Sequence, residues 1–281
     1  MFLVYNSDVL YENDFRLSIH DRAFQYGDGL FETIRYEQRT VWFWPDHFAR
    51  LTAGMAGLGL QAPDNFTADA VYQCITELVS VNSLTDQAAR IKIQVWRQAG
   101  GLYTPITSKA NVLITVRSSL PFSVTDKAQI GIYDTFRLSS SPVSAFKTLS
   151  ALPYVLAGVY RSKNSLDDVI LLDTSGFLAE CLASNLFWYT NQTLFTPSLQ
   201  TGCINGIIRR QLLRFAPELG ISLTEGLYLP DVLTQADVVF CTNVMGIQWL
   251  RNINGLHNSL HLQGFASAES LLNALFAQLH S

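Results

Sequence analysis

Arg90-Ile-Lys-Ile-Gln-Val-Trp96 alternates polar and apolar side chains with a period of two. Such a segment buries one row of side chains and leaves the other open, so it reads as a half-buried strand. Leu30–Tyr36 and Asn111–Val116 also read as strands, and Phe2–Tyr5 and Val9–Tyr11 flank a turn at Asn6–Asp8. Glu37–Arg39 is predicted to turn the chain into a further strand at Thr40–Trp44. Between these segments the period changes. His47–Leu60 places Phe48, Leu51, Met55 and Leu58 at helical intervals, and Ala68–Val81 repeats the pattern. Strands and helices are therefore mixed in the first part of the chain.

Ser118-Ser-Leu-Pro-Phe-Ser-Val-Thr125 breaks this periodicity with serine and proline. It is read as a linker between a small domain, 1–117, and a larger one, 126–281. A chain of 281 residues suits two modest cores. Past the linker, Gln129–Tyr133 reads as a strand. Leu149, Leu152, Val155, Leu156 and Val159 read as a helix face. Asp168–Ala179 reads as strand, turn, strand, and Leu186–Phe195 as a hairpin turning at Asn191-Gln192. A helix after Gly206, a strand at Val238–Phe240 and a final helix from about Ser267 complete the pattern.

Hydrophobic residues make up 48% and charged residues 15%, a composition that buries a large core and excludes disorder. With net charge −4 and no basic block longer than Arg209-Arg210, a nucleic-acid surface is not expected. Cys74, Cys181, Cys203 and Cys241 form no C-x-x-C pair and join no histidine cluster, so free thiols and no metal are expected. The N-terminal stretch lacks a signal-peptide pattern, and no apolar run approaches the ~20 residues that span a bilayer. The reading is a cytoplasmic protein without a membrane partner.

Three segments carry chemistry. Lys147 lies between a serine-containing loop and apolar Leu149, with Phe146 before it. Apolar walls favour the neutral amine, which forms Schiff bases and moves protons; the alternative is a surface lysine. Glu180 ends an otherwise apolar stretch, either as a structural carboxylate or as partner to a buried cation. Gly206-Ile-Ile-Arg209 opens a helix whose free amides suit a phosphate. A lysine, a buried acid and such a helix start together suit pyridoxal 5′-phosphate. Arg50 is placed on the polar side of its helix. Arg97 either grips a substrate carboxylate through its fork of donors or is a loop charge.

Taken in order, Asp21–Arg35, His47–Leu51, Lys147, Glu180 with Asn185–Phe187, Thr196–Leu199 and Gly206–Arg209 resemble the fold-type IV pyridoxal-phosphate enzymes, or class IV aminotransferases. The resemblance implies a two-domain α/β (α+β type) fold: a small α/β domain, then a larger β-barrel-like domain with helices. It implies that Lys147 bonds the cofactor and shuttles a proton, and that Glu180 pairs with the pyridine nitrogen. Arg50, Gly206, Ile207 and Ile208 would hold the phosphate side, with Asn243 adding a contact. It also implies a homodimer. Within the family the chain looks most like the aminodeoxychorismate lyases, which give 4-aminobenzoate and pyruvate. The alternative is an aminotransferase of branched-chain or D-amino acid type. Leu152 stands where branched-chain enzymes carry tyrosine, and Phe31 where D-amino acid enzymes carry tyrosine. Gly100-Gly-Leu-Tyr103 lacks the second arginine of many lyases, leaving Arg97 or Arg35 to meet the substrate carboxylate.

Overall fold

The computed structural model describes residues 1–253 and 271–280. The chain separates into two compact units. One comprises Met1–Pro121 with Phe146–Ser150, the other Phe122–Ala145 with Ala151–Ser281. The residues around Lys147 thus cluster with the first unit, although they follow the second unit's first segment in sequence.

The first unit is built on a six-stranded sheet in the order β2-β1-β6-β5-β3-β4. Its strands are β1 (Phe2–Tyr5), β2 (Asp8–Tyr11), β3 (Gly29–Glu37), β4 (Thr40–Val41), β5 (Ala89–Arg97) and β6 (Ala110–Ser118). Every pairing is antiparallel. Helix α1 (Arg22–Tyr26) precedes β3, and helices α2 (Trp44–Gly57) and α3 (Ala68–Val81) lie between β4 and β5. Ile34, Ile91 and Ile93 of the sheet pack with Leu51, Ile75 and Leu78 of the two helices, all at most 2% exposed. Alternation sends the other row of β3 and β5, including Phe31, Thr33, Lys92 and Gln94, to a half-buried face. Thr67 caps α3 by accepting from the Ala70 amide at 3.2 Å. The strand expected at Thr40–Trp44 is shorter, because Trp44 opens α2 with Pro45 in the first turn, where proline costs no hydrogen bond.

The second unit carries an eight-stranded sheet in the order β12-β11-β10-β13-β14-β7-β8-β9. These strands are β7 (Ser123–Leu138), β8 (Asp168–Asp173), β9 (Leu178–Cys181), β10 (Asn185–Thr190), β11 (Thr193–Pro197), β12 (Ser222–Gly226), β13 (Val238–Asn243) and β14 (Gly246–Ile253). Helix α4 (Leu152–Lys163) joins β7 to β8 and helix α5 (Ile207–Glu218) joins β11 to β12, each across a parallel pair. The sheet curls: β9, at its end, returns beside β10, where the Cys181 amide donates to the Ser184 carbonyl at 2.8 Å. The resulting half-barrel encloses Ile130, Ile170, Leu186, Val239 and Leu250. β10 and β11 meet through Asn191 (φ 49°) and Gln192 (φ 62°), the two positive φ values of a type I′ hairpin.

Two further expectations need correction. β7 begins at Ser123 and absorbs the end of the stretch read as linker. The apolar stripe of α4 is not a core face, because Leu152 (61%), Val155 (58%) and Val159 (46%) are exposed and Leu149 precedes the helix. A last helix covers 271–277, and its start near Ser267 lies outside the described residues. Among the described residues, no helix is long and apolar enough to cross a membrane.

Candidate active site

Lys147 is seated on the edge of β3. The Phe31 amide donates to the Lys147 carbonyl at 2.7 Å, and the Leu149 amide donates to the Gly29 carbonyl at 2.9 Å. These bonds flank an antiparallel bridge between Leu30 and Thr148, so the segment acts as a short extra strand. The side chain is half-buried, with Nζ 5.3 Å from the centre of the Phe31 ring. A second ammonium faces the same ring: Lys92 Nζ, from β5, lies 5.0 Å from its centre. Burial, and then the charge of Arg90, lower the Lys92 pKa. Sequence reasoning passed over Lys92. Its only signal was its place in the open row of an alternating strand.

Arg50 does not face solvent. It is 2% exposed, and its Nε and Nη2 bind both oxygens of Glu32 at 2.7 and 2.5 Å. His47, fully buried one turn earlier, meets the same carboxylate at 2.6 Å through Nδ1. Burial alone would raise the Glu32 pKa. The Arg50 charge and the hydrogen bonds from His47 and Arg50 outweigh it and hold the group at about 2. Burial lowers the His47 pKa, leaving a neutral ring that donates Nδ1–H to the carboxylate. The polar-side placement of Arg50 was wrong because Glu32 balances its charge inside the helix–sheet layer.

Arg97 and Arg35 are likewise engaged by the protein. Arg97 donates Nε to Asp28 at 3.0 Å, Nη1 to the Gly59 carbonyl at 3.1 Å and Nη2 to the Leu58 carbonyl at 2.6 Å. Asp28 also binds Arg22 at 2.7 Å, and Asp21 accepts from the Trp96 indole at 2.8 Å. These bonds give the acidic residues of the Asp21–Gly29 segment a structural purpose. Arg35 is fully buried, donates to Glu37 at 2.7 Å and to the Leu120 carbonyl at 3.2 Å, and lies over the Trp42 ring. With these partners, neither arginine supports the expectation of a substrate-carboxylate grip.

In the second unit, Glu180 is the third residue of β9 and 3% exposed. Tyr154 of α4 donates its hydroxyl to Oε1 at 2.7 Å, while the Ile204 amide and the Asn185 side chain donate to Oε2 at 3.2 and 3.4 Å. These neutral donors orient the carboxylate without cancelling its charge, which suits a cationic ring nitrogen beside it. Burial and the Glu180 charge raise the Tyr154 pKa, so its phenol remains a donor. Sequence reasoning missed Tyr154, which sits in an apolar helix segment.

The N-terminus of α5 adjoins this carboxylate. Asn185 also donates to the Ile204 carbonyl at 2.7 Å, fixing the turn that precedes the helix. Gly206 is the N-cap and supplies no side-chain cap. A Cβ there would fall 1.9 Å from Asn185 Oδ1, so only glycine allows this approach. Helix geometry leaves the first-turn amides, including those of Ile207 and Ile208, without intrahelical acceptors, and the helix dipole adds positive potential. Asn243 lies at the β13–β14 turn, where it donates to the Ala183 carbonyl at 3.0 Å and accepts from the Met245 amide at 2.8 Å. The structure thus gathers Glu180, Asn185 and Gly206–Ile208, while Asn243 braces the neighbouring loop. A buried anion for a ring nitrogen and an open helix start for a phosphate fit pyridoxal phosphate.

Comparison with known proteins agrees with this fit. The amino-transferase class IV family pattern matches residues 29–253. The aminodeoxychorismate lyase of Vibrio harveyi is 28% identical over 247 residues, covering 85% of this chain and 88% of that protein. The D-alanine aminotransferase of Bacillus licheniformis is 25% identical over 253 residues, covering 86% of this chain and 84% of that protein. The branched-chain amino acid aminotransferase structure of Escherichia coli superposes with a TM-score of 0.86 at 21% identity, covering 98% of this chain and 93% of that one. This chain therefore belongs to the class IV aminotransferase family and is a pyridoxal-phosphate-dependent enzyme of fold type IV.

Proposed function

We propose that the enzyme converts 4-amino-4-deoxychorismate to 4-aminobenzoate and pyruvate. The observation that carries the cofactor chemistry is Glu180, buried and aimed by Tyr154, Asn185 and the Ile204 amide. Pyridoxal phosphate, when bound, supplies an electron sink for the carbon that bears the substrate amine. Glu180 would hold a proton on the ring nitrogen. Lys147 would hold the cofactor, and its amine would take the proton from the amine-bearing carbon. The α5 amides of Ile207 and Ile208 bind the phosphate, with Gly206 permitting their approach and Asn243 steadying the adjoining loop. The resemblance also assigns Arg50 to the phosphate, but its guanidinium here is engaged by both oxygens of Glu32, and it is given no part in the proposed chemistry.

Recognition of a carboxylate falls to Lys92, since Arg97 and Arg35 have acceptors within the protein. Lys92 and Lys147 both face the Phe31 ring, and an anionic substrate lying over that ring meets an ammonium from the strand beside it. The choice of lyase rests on likeness to the aminodeoxychorismate lyase of Vibrio harveyi. We further propose that the enzyme acts as a cytoplasmic homodimer, for which the exposed apolar face of α4 is a candidate contact.

Supplying 4-amino-4-deoxychorismate to the cofactor-loaded protein without an amino acceptor tests this. Repeated release of pyruvate and 4-aminobenzoate, lost at least ~1,000-fold in Lys147→Ala, is the expected result. No release, with conversion of the cofactor to its amine form by D-alanine, L-leucine or L-glutamate, would replace the lyase with an aminotransferase.

A further inference from the structure

The half-barrel of the second unit holds a polar cluster that the proposed chemistry leaves unused. Lys127 of β7 places Nζ 2.5 Å from Asp168 Oδ2, at the start of β8, and 3.6 Å from Cys241 Sγ on β13. Cys241 Sγ also lies 3.9 Å from Asp168 Oδ2 and 3.5 Å from Gln248 Oε1. Cys181, on β9, completes the group: one donor atom from each of Asp168, Cys181 and Cys241 falls within 4.8 Å of the others. Both thiols are fully buried among the apolar side chains of the half-barrel, whereas the Lys127 side chain is 23% exposed and connects the cluster to solvent.

Three ligand-type atoms this close suggest a metal site at first sight. The Lys127 ammonium already meets Asp168 and Cys241, however, so the local positive charge is supplied by the chain and a divalent ion would have to displace it. What remains is a pair of neighbouring thiols beside a fixed ammonium. The thiols are not equivalent. The hydrogen bond with Cys181 and the Lys127 charge lower the Cys241 pKa against burial and the Asp168 charge, both of which raise it. Its hydrogen-bond partner Cys181 is pushed the other way, by that bond and by burial, and keeps its proton.

We propose that Cys181 and Cys241 form a peroxide-sensitive pair that closes into a disulfide joining β9 to β13. The Cys241 thiolate attacks one oxygen of hydrogen peroxide, the O–O bond breaks, and the departing oxygen leaves as water after taking a proton. Cys241 is then a sulfenic acid, oxidised by two electrons. The Cys181 sulfur attacks that sulfur, the S–O bond breaks, and the hydroxyl leaves as a second water with the Cys181 proton. Two thiols and one peroxide thus give one disulfide and two waters. The sulfurs must close to about 2.05 Å, a movement that bends both strands. Cys181 directly follows Glu180, and Cys241 lies two residues before Asn243, so closure strains the carboxylate and its neighbouring loop. This effect on turnover rests on the role proposed for Glu180; the cross-link does not.

Mass spectrometry of the full-length, cofactor-loaded protein after hydrogen peroxide treatment tests the proposal. Trapping free thiols before digestion with trypsin and chymotrypsin is expected to show Cys181 joined to Cys241 and released by dithiothreitol. The link is expected to form at least ~10-fold more slowly in Lys127→Met, with turnover falling and recovering in step in the unmodified protein. Cys181 and Cys241 both trapped as free thiols after exposure, or oxidised without a mutual link, would overturn the proposal. An equal rate in Lys127→Met would remove Lys127 from it, and a cross-linked protein with undiminished turnover would overturn the coupling to Glu180. Because the link is read by mass, it is scored even if 4-amino-4-deoxychorismate proves not to be the substrate.

Discussion

Phe31 has an ammonium near its ring from each of two strand-like segments, and the proposed chemistry gives the two amines different tasks. Lys147 is held by backbone bonds to the β3 edge, whereas Lys92 is carried within β5. Replacing Lys92 by methionine is expected to raise KM for 4-amino-4-deoxychorismate about 10- to 100-fold, the worth of a charge-assisted hydrogen bond, with a smaller change in kcat. Steady-state kinetics beside Lys92→Arg, which keeps the charge, would check this. An unchanged KM would remove Lys92 from substrate recognition. The same scale gives a pH expectation. Glu32, held at about 2 against 4.5, binds fewer protons folded than unfolded between those values, so its stabilisation is full above pH 4.5 and fades toward pH 2. His47, depressed below 6.5, adds a loss of the same sign as pH falls past that value. Glu32→Gln strands the buried Arg50 charge and is expected to cost ~3–5 kcal/mol near neutrality, with a shallower acid limb. Urea midpoints across pH would show both.

At the scale of elements, the start of α5 and the end of β9 work as one device, coupled by Asn185. Gly206→Ala drives a methyl group into Asn185 Oδ1, so Asn185 must leave both Glu180 and the Ile204 carbonyl. Cofactor affinity is expected to fall at least ~10-fold while far-ultraviolet circular dichroism stays native. A fluorescence titration with pyridoxal phosphate measures it. This device was only half legible in the sequence. Glu180 and the glycine-led helix stand out because an acid in an apolar run and a glycine before a helix are local anomalies. Tyr154 and Asn185 are ordinary residues where they stand, and only the curl of the sheet makes them donors to one carboxylate. Arg50 misled for the converse reason: helical spacing placed it with polar residues, and nothing local reveals Glu32 across the β3–α2 layer.

For the whole molecule, the alternation of β5 and the spacing in α2 and α3 made the first unit readable, since each element there buries a face its own periodicity marks. The second unit was harder. Its strands β8, β9 and β10 are almost wholly buried, so they show apolar runs rather than alternation, and their order depends on parallel pairings across α4 and α5. The stripe on α4 was legible as apolar but not as exposed. If it closes on a second copy, Val159→Asp, made with Val155→Asp, is expected to halve the mass measured by sedimentation equilibrium. A mass unchanged from the unmodified protein would place any dimer contact elsewhere.

The short return of Phe146–Ser150 to the first unit has a consequence for synthesis. A ribosome releases the chain in order, and the edge of β3 that bonds Lys147 waits until residue 150 has emerged. By then residues 122–145 of the second unit have already been made. A fragment ending at Pro121 would lack both the lysine and the backbone partners of Phe31 and Gly29. Lys147 is thus seated only after synthesis has passed into the second unit, so a chain interrupted before residue 150 never holds it in place.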